Sequence, residues 1–177
     1  MNQAVDLDPA RVGELLGTDV ERHFGPSRIE HLVRLSGGAS RETWSFDVVT
    51  ADGRRRELIL RRDPGATGSA GPEGWRGGKT AYSLDRETEA ELQQVVFEAG
   101  GPVARVHFRL PADHALGGCY VMDRIAGEVL APRILRDEAF AGARAMMARQ
   151  CGEILAGLHA IDLTKLPAGL SRMPVRA

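Results

Sequence analysis

Apolar positions along the chain recur with two different periods, and the switches between them divide it into elements. After Asp8-Pro9, an N-cap followed by proline at the first helical position, Val12, Leu15, Leu16 and Val20 recur at helical spacing until Gly25-Pro26 ends the run. Between Arg28 and Leu35 the alternation is partial, and between Glu42 and Thr50 it is clear, with Trp44, Phe46 and Val48 on one face. Asp52-Gly53 is a hairpin turn signal, and Arg56 to Arg62 reads as a third strand. Helical spacing returns over 83–101, where Leu84, Thr88, Leu92, Val95, Val96 and Ala99 form the predicted buried stripe before a Gly100-Gly101-Pro102 stop. The stretches "ARVHFRL" and "GCYVMDRI" read as two more strands, joined by a turn around "PADHALGG". Beyond Gly127 the pattern predicts a long helix over 137–161, with Phe140, Met147, Cys151, Ile154, Leu155 and Leu158 facing inward.

This order predicts an α+β fold: a five-stranded antiparallel sheet with a packed helix, followed by a linker and a long helix. Three segments result: an N-terminal helix over 1–27, a sheet lobe over 28–126, and a linker with the first helix of a further lobe over 127–177. Residues 63–80 are rich in glycine, include Pro64 and Pro72, and read as a long flexible loop. No internal repeat is visible.

Composition narrows the function classes. Lys and Arg total 23 against 24 Asp and Glu, which argues against a general nucleic-acid or membrane-surface binder. The apolar fraction of 43% suits a globular protein, and no run approaches the ~20 apolar residues of a membrane span. The N-terminus lacks the basic and apolar regions of a secretory signal. Cys119 and Cys151 are the only cysteines and form no C-x-x-C pair, so a reduced, cytoplasmic compartment is expected. The five histidines are scattered without ligand spacing, and no metal-binding residue is assigned.

Two glycine-rich stretches invite a phosphate-binding reading. Gly78-Lys79-Thr80 looks like the end of a P-loop, but Glu73 stands where that motif needs glycine, and no apolar strand precedes it. "LSGGASRETW" lies between two predicted strands. It is either an ordinary hairpin tip or a lid whose backbone N–H groups and Ser40 hydroxyl approach phosphates.

A kinase-type site also needs a cation on the third strand and an acid on the next helix to hold it. Alternation puts Arg61 on the same face as Ile59. The helix offers Glu87, Glu89 and Glu91; Glu87 is the expected partner, with Glu91 on the same helix face as runner-up. Each of these charges could equally be a solvated surface residue. "YVMDRIAGEVL" places a strand end before a glycine, as an adenine-binding hinge or an ordinary interlobe linker would.

Together "LSGGASRETW", "LILRRDPG", "DRETEAELQQV", "GPVARVHF", "YVMDRIAGEVL" and "ILAGLHAIDL" resemble the N-terminal lobe of the aminoglycoside phosphotransferase and choline-kinase-like family, a protein-kinase-like fold. The likeness spans about 10–165 and lies in the order and spacing of the motifs. It implies that Gly38, Ala39 and Ser40 sit at the nucleotide phosphates, and that Arg61 takes the phosphate-binding lysine position with Glu87 as its helix partner. It implies that Met122 lines an adenine pocket whose edge is read by the Asp123 carbonyl and the Ile125 N–H. The implied ligands are ATP or GTP with magnesium, and a small hydroxylated acceptor.

Arginine in place of lysine is a departure, because its planar fork can hold two phosphate oxygens. The H-G-D-x-x-x-x-N stretch that carries the base and a metal ligand is a larger one: it does not occur here. The expectation is therefore the nucleotide-binding half of a small-molecule kinase, without catalytic residues of its own. Its 137–161 helix would be available for self-association. The alternative is a non-catalytic kinase-like regulatory module.

Overall fold

A computed structural model describes residues 7–35, 42–63, 84–168 and 170. The fold is α+β. Helix α1 (Pro9–Phe24) precedes strands β1 (Ser27–Arg34), β2 (Glu42–Thr50) and β3 (Arg55–Arg62), then helix α2 (Arg86–Glu98), β4 (Val106–Leu110) and β5 (Cys119–Asp123). The five strands form one antiparallel sheet in the order β1-β2-β3-β5-β4.

The sheet's two faces are chemically distinct because strand alternation sorts them. On one face Trp44, Phe46 and Val48 of β2 join Leu58 and Leu60 of β3 and Cys119 and Val121 of β5 against Val12, Leu16 and Val20 of α1. Each large apolar side chain fully buried there contributes about 1.5–3 kcal/mol. The Asp8 carboxylate caps α1 by accepting from the Arg11 N–H at 2.8 Å, a contact of about 1 kcal/mol. The turn between β4 and β5 adds Leu116 to the same core. The opposite face carries Ser45, Asp47, Ile59, Arg61, Tyr120 and Met122, and α2 lies over its β4–β5 side.

The turn and cap chemistry also behaves as the sequence dictates. Asp85 accepts from the Thr88 N–H at 2.7 Å at the start of α2. Gly100 ends that helix at φ +82°, a conformation that favours glycine. A Cβ on Gly101 would lie 2.9 Å from the Val96 carbonyl oxygen, so the stop demands two glycines in succession.

Three expectations need correction. The buried side of α2 consists of Arg86, Thr88, Ala90 and Val96; Leu92 and Val95 are half-buried and Ala99 is exposed. The segment read as a linker contains a short helix, α3 (Ala131–Arg136), with Pro132 in its first turn. The long helix over 137–161 is a 3-10 turn at Glu138–Phe140 followed by α4 (Ala141–His159). None of α4's residues is buried, including the expected inward set, because no described element packs along its apolar side. Among the described residues, no helix is long and apolar enough to cross a membrane.

Candidate functional site

The polar face of the sheet gathers charge around two carboxylates, Glu89 and Asp47. Arg61 and Tyr120 are cross-strand partners on β3 and β5 and project from the same face. Both reach Glu89 Oε1 on α2: Arg61 Nη1 at 3.2 Å and the Tyr120 hydroxyl, donating, at 2.9 Å. The other carboxylate oxygen of Glu89 pairs with Arg86 Nη1. Arg86 is only 5% exposed and also donates to Asp63 Oδ2 at 3.1 Å. Burial and the neighbouring Glu89 push the Tyr120 phenol up to about 12, so it remains a donor throughout the neutral range.

The cation expected on the third strand is therefore in place, but its partner is Glu89 and not Glu87. Glu87 is exposed, and Glu91 pairs instead with Arg109 at 2.6 Å. The helix phase explains the difference. A spacing of four puts Glu87 and Glu91 on one helix face, whereas the buried Arg86 and Ala90 and the Gln93–Met122 contact turn a different face to the sheet, the one that brings Glu89 to Arg61. Tyr120 and Arg86 were not anticipated. Strand alternation places Tyr120 beside Arg61 and could have found it.

The end of β5 borders this face. Met122 accepts at Sδ from Gln93 Nε2 at 3.3 Å and lies two residues from Tyr120. Asp123 and Arg124 use their N–H groups on opposite sides, toward the Arg105 carbonyl at 3.0 Å and the Glu57 carbonyl at 2.9 Å. Extended backbone alternates the direction of successive N–H and C=O groups. The Asp123 carbonyl thus faces the β4 side, and an extended backbone continuing past the end of β5 would turn the Ile125 N–H the same way. Among the described residues the Ile125 N–H has no partner, and Ile125 is 67% exposed.

Asp47 is 1% exposed and sits at the centre of the second cluster. Arg55 Nη2 and His31 Nδ1 (3.0 Å) meet Oδ2, and Arg124 Nη2 meets Oδ1 at 3.2 Å. Burial alone would push the Asp47 carboxyl up. Hydrogen bonds from Arg55 and His31 and the charges of Arg55 and Arg124 outweigh it and hold the group below the ordinary carboxylate range.

Arg61 and Met122 project from the polar face, Asp123 and Ile125 follow at the exit of β5 with the Asp123 side chain on the opposite face, and Glu87 is turned to solvent. Gly38, Ala39 and Ser40 lie outside the described residues, so the phosphate-lid reading of that loop has no geometry here.

Comparison with known proteins adds a family. The model of the phosphotransferase enzyme family matches residues 31–176. A crystal structure of a Ralstonia eutropha JMP134 protein assigned as an aminoglycoside phosphotransferase superposes with a TM-score of 0.57 at 20% identity, over 88% of this chain. The chain spans only 40% of that structure's length, and the likeness is one of fold. A comparison with curated proteins yields no match.

Proposed function

The chain belongs to the phosphotransferase enzyme family, and from that premise we propose that it is the nucleotide-binding half of an ATP- or GTP-dependent small-molecule kinase. The observation that carries this reading is the Arg61–Glu89 pair, a strand cation held at 3.2 Å by a helix carboxylate on the face that borders the β5 edge.

One buried, unpartnered donor and one exposed donor–acceptor pair support the fit of a nucleotide. Arg61 Nε is buried without a hydrogen-bond partner among the described residues. A buried donor in that condition costs roughly 1–3 kcal/mol, which a phosphate oxygen would offset. At the other end of the face, the Ile125 N–H and the Asp123 carbonyl form a donor–acceptor pair that suits the edge of a purine. Met122 would give such a base an apolar wall. In this reading Arg61 steadies phosphate oxygens through its fork. Glu89, itself held by Tyr120 and Arg86, keeps that fork aimed.

Magnesium does not find a holder among these groups. Among the described residues no three carboxylate, imidazole or thiol groups converge, and Glu89 and Asp47 are committed to arginines. The H-G-D-x-x-x-x-N stretch that would supply a base and a metal ligand is absent from these 177 residues. The metal, the base and the acceptor contacts are therefore assigned to a second lobe. The transfer of phosphate to a small hydroxylated acceptor is an activity of the two lobes together. This half supplies positioning and charge.

The test is equilibrium binding of ATP and GTP to the 177-residue chain, followed by calorimetry or a fluorescent analogue. Weak, saturable binding is expected, and Arg61→Met should reduce it at least about tenfold, the loss of one charge-assisted contact of about 1.5–3 kcal/mol. No turnover is expected with magnesium and a panel of hydroxylated compounds. Failure to bind either nucleotide would overturn the reading in favour of a regulatory module.

A further inference from the structure

Arg124 makes an unusual set of contacts for a residue just past a strand end. Its N–H bonds the Glu57 carbonyl of β3 at 2.9 Å. Its guanidinium turns back over the polar face, where it donates to Ser45 Oγ at 2.7 Å and pairs with Asp47 Oδ1 at 3.2 Å and Glu57 Oε1 at 2.7 Å. One side chain thus ties the exit of β5 to both β2 and β3.

The anchor at the far end of this tie is itself built. Asp47 is buried and held by Arg55 as well as Arg124. The third group on it, His31, occupies a break in the β1–β2 register between Glu30 and Val33, with φ at +52°. Few non-glycine residues adopt that conformation, and bulges of this kind re-aim a side chain. Here the imidazole Nδ1 is aimed at Asp47 Oδ2, 3.0 Å away. On the other face Asp123 bonds His107 Nε2 at 2.6 Å. The two residues that precede Ile125 are therefore fastened to opposite faces of the sheet.

We propose that Arg124 is a positioning residue for base recognition. By fastening the strand end to Asp47, Ser45 and Glu57, it fixes the direction in which the Asp123 carbonyl and the Ile125 N–H face, and so presets them for a purine edge. The inference rests on the nucleotide-binding reading above. It adds that the chain's affinity for the base, as distinct from the phosphates, depends on a side chain that does not touch the nucleotide. Preorganisation of this kind raises affinity by removing the ordering cost from the binding step.

The experiment uses two probes on the 177-residue chain: ATP, and inorganic triphosphate, which has phosphates and no base. Arg124→Met should weaken ATP binding about tenfold, the equivalent of one or two lost hydrogen bonds, and leave triphosphate binding unchanged. Arg124→Lys, which restores a cation but not the fork, should recover part of the loss. Ser45→Ala, a milder cut of the same tie, should shift ATP affinity in the same direction and serves if Arg124→Met does not fold. Arg61→Met should weaken both probes. Equal weakening of ATP and triphosphate by Arg124→Met would overturn the proposal and assign the residue a general structural role. Unchanged ATP affinity would overturn it while leaving the nucleotide reading intact. Absence of binding of both probes to the unaltered chain would overturn both.

Discussion

Arg61 and Tyr120 stand opposite each other on β3 and β5 and converge on one oxygen of Glu89. A cation and a neutral donor sharing one carboxylate oxygen fix its position more tightly than either could alone, and Arg86 on the second oxygen completes the cradle. Glu89 is accordingly a positioning group whose loss acts through Arg61.

The prediction is a contrast between neighbouring acids. Glu89→Gln should weaken nucleotide binding about tenfold and lower stability by about 1–3 kcal/mol, because Arg86 is buried and loses a charged partner. Glu87→Gln, on the exposed side of the same turn, should leave both within about 0.5 kcal/mol of the parent. Titration and chemical denaturation of the two variants check this. Equal effects would remove the distinction between the two faces of α2.

Asp47 should make the fold sensitive to acid. Its folded-state affinity for protons is depressed, despite a burial effect of opposite sign, by Arg55, His31 and Arg124. A depressed carboxyl contributes stability that is fully present above its unfolded value, near pH ~4, and is lost as pH falls through the lower folded value. The thermal midpoint of the parent should therefore drop on acidification below about pH 4. Asp47→Asn should be less stable at pH ~7, by roughly 1–3 kcal/mol, yet show a shallower acid dependence. Parallel pH profiles for the two proteins would contradict this account.

Much of this architecture is legible in the sequence, for reasons that differ by element. The bounds of β2 follow from strict alternation around Trp44, Phe46 and Val48, and α1 from the Asp8-Pro9 start and the Gly25 stop, all local signals. The face of Arg61 follows from the same alternation. The phase of α2 does not, because polar side chains share its buried side with Ala90 and Val96: Gln93 donates to the Ala104 carbonyl and to Met122, and Arg86 to Asp63. Glu87 and Glu89 stand two residues, about 200°, apart around the helix, so a helix face that presents one to the sheet turns the other away. The Arg124–Asp47 tie is beyond local reasoning altogether, since its partners are 77 residues apart. His31 is harder still, because its aim depends on a bulge that the alternation of β1 conceals.

The two cysteines should behave oppositely toward a thiol reagent. Cys119 lies in the α1–sheet core, where burial pushes its thiol up to about 12, leaving a thiolate fraction on the order of 10⁻⁵ at neutral pH. Cys151 is exposed on α4. One equivalent of an aromatic disulfide reagent should react with the native protein and a second only after denaturation. Rapid modification of both sites would mean that the core opens far more often than its packing implies.

The apolar side of α4 leads to a prediction about mass in solution. Met147, Ile154, Leu155 and Leu158 recur at helical spacing and are all exposed, Leu155 by 53%. Contiguous apolar surface of this kind marks an interaction site or an aggregation hazard, and helices with such a stripe pack at separations of about 8–10 Å. The 177-residue chain by itself should therefore associate as its concentration rises. The double variant Leu155→Glu, Leu158→Glu should remain monomeric in light scattering, with nucleotide binding unchanged because neither residue lies on the polar face of the sheet. Its denaturation midpoint should also match the parent's at low concentration, since no α4 side chain is buried in the monomer. A parent that stays monomeric across the concentration series would show that the stripe is too weakly apolar to drive association.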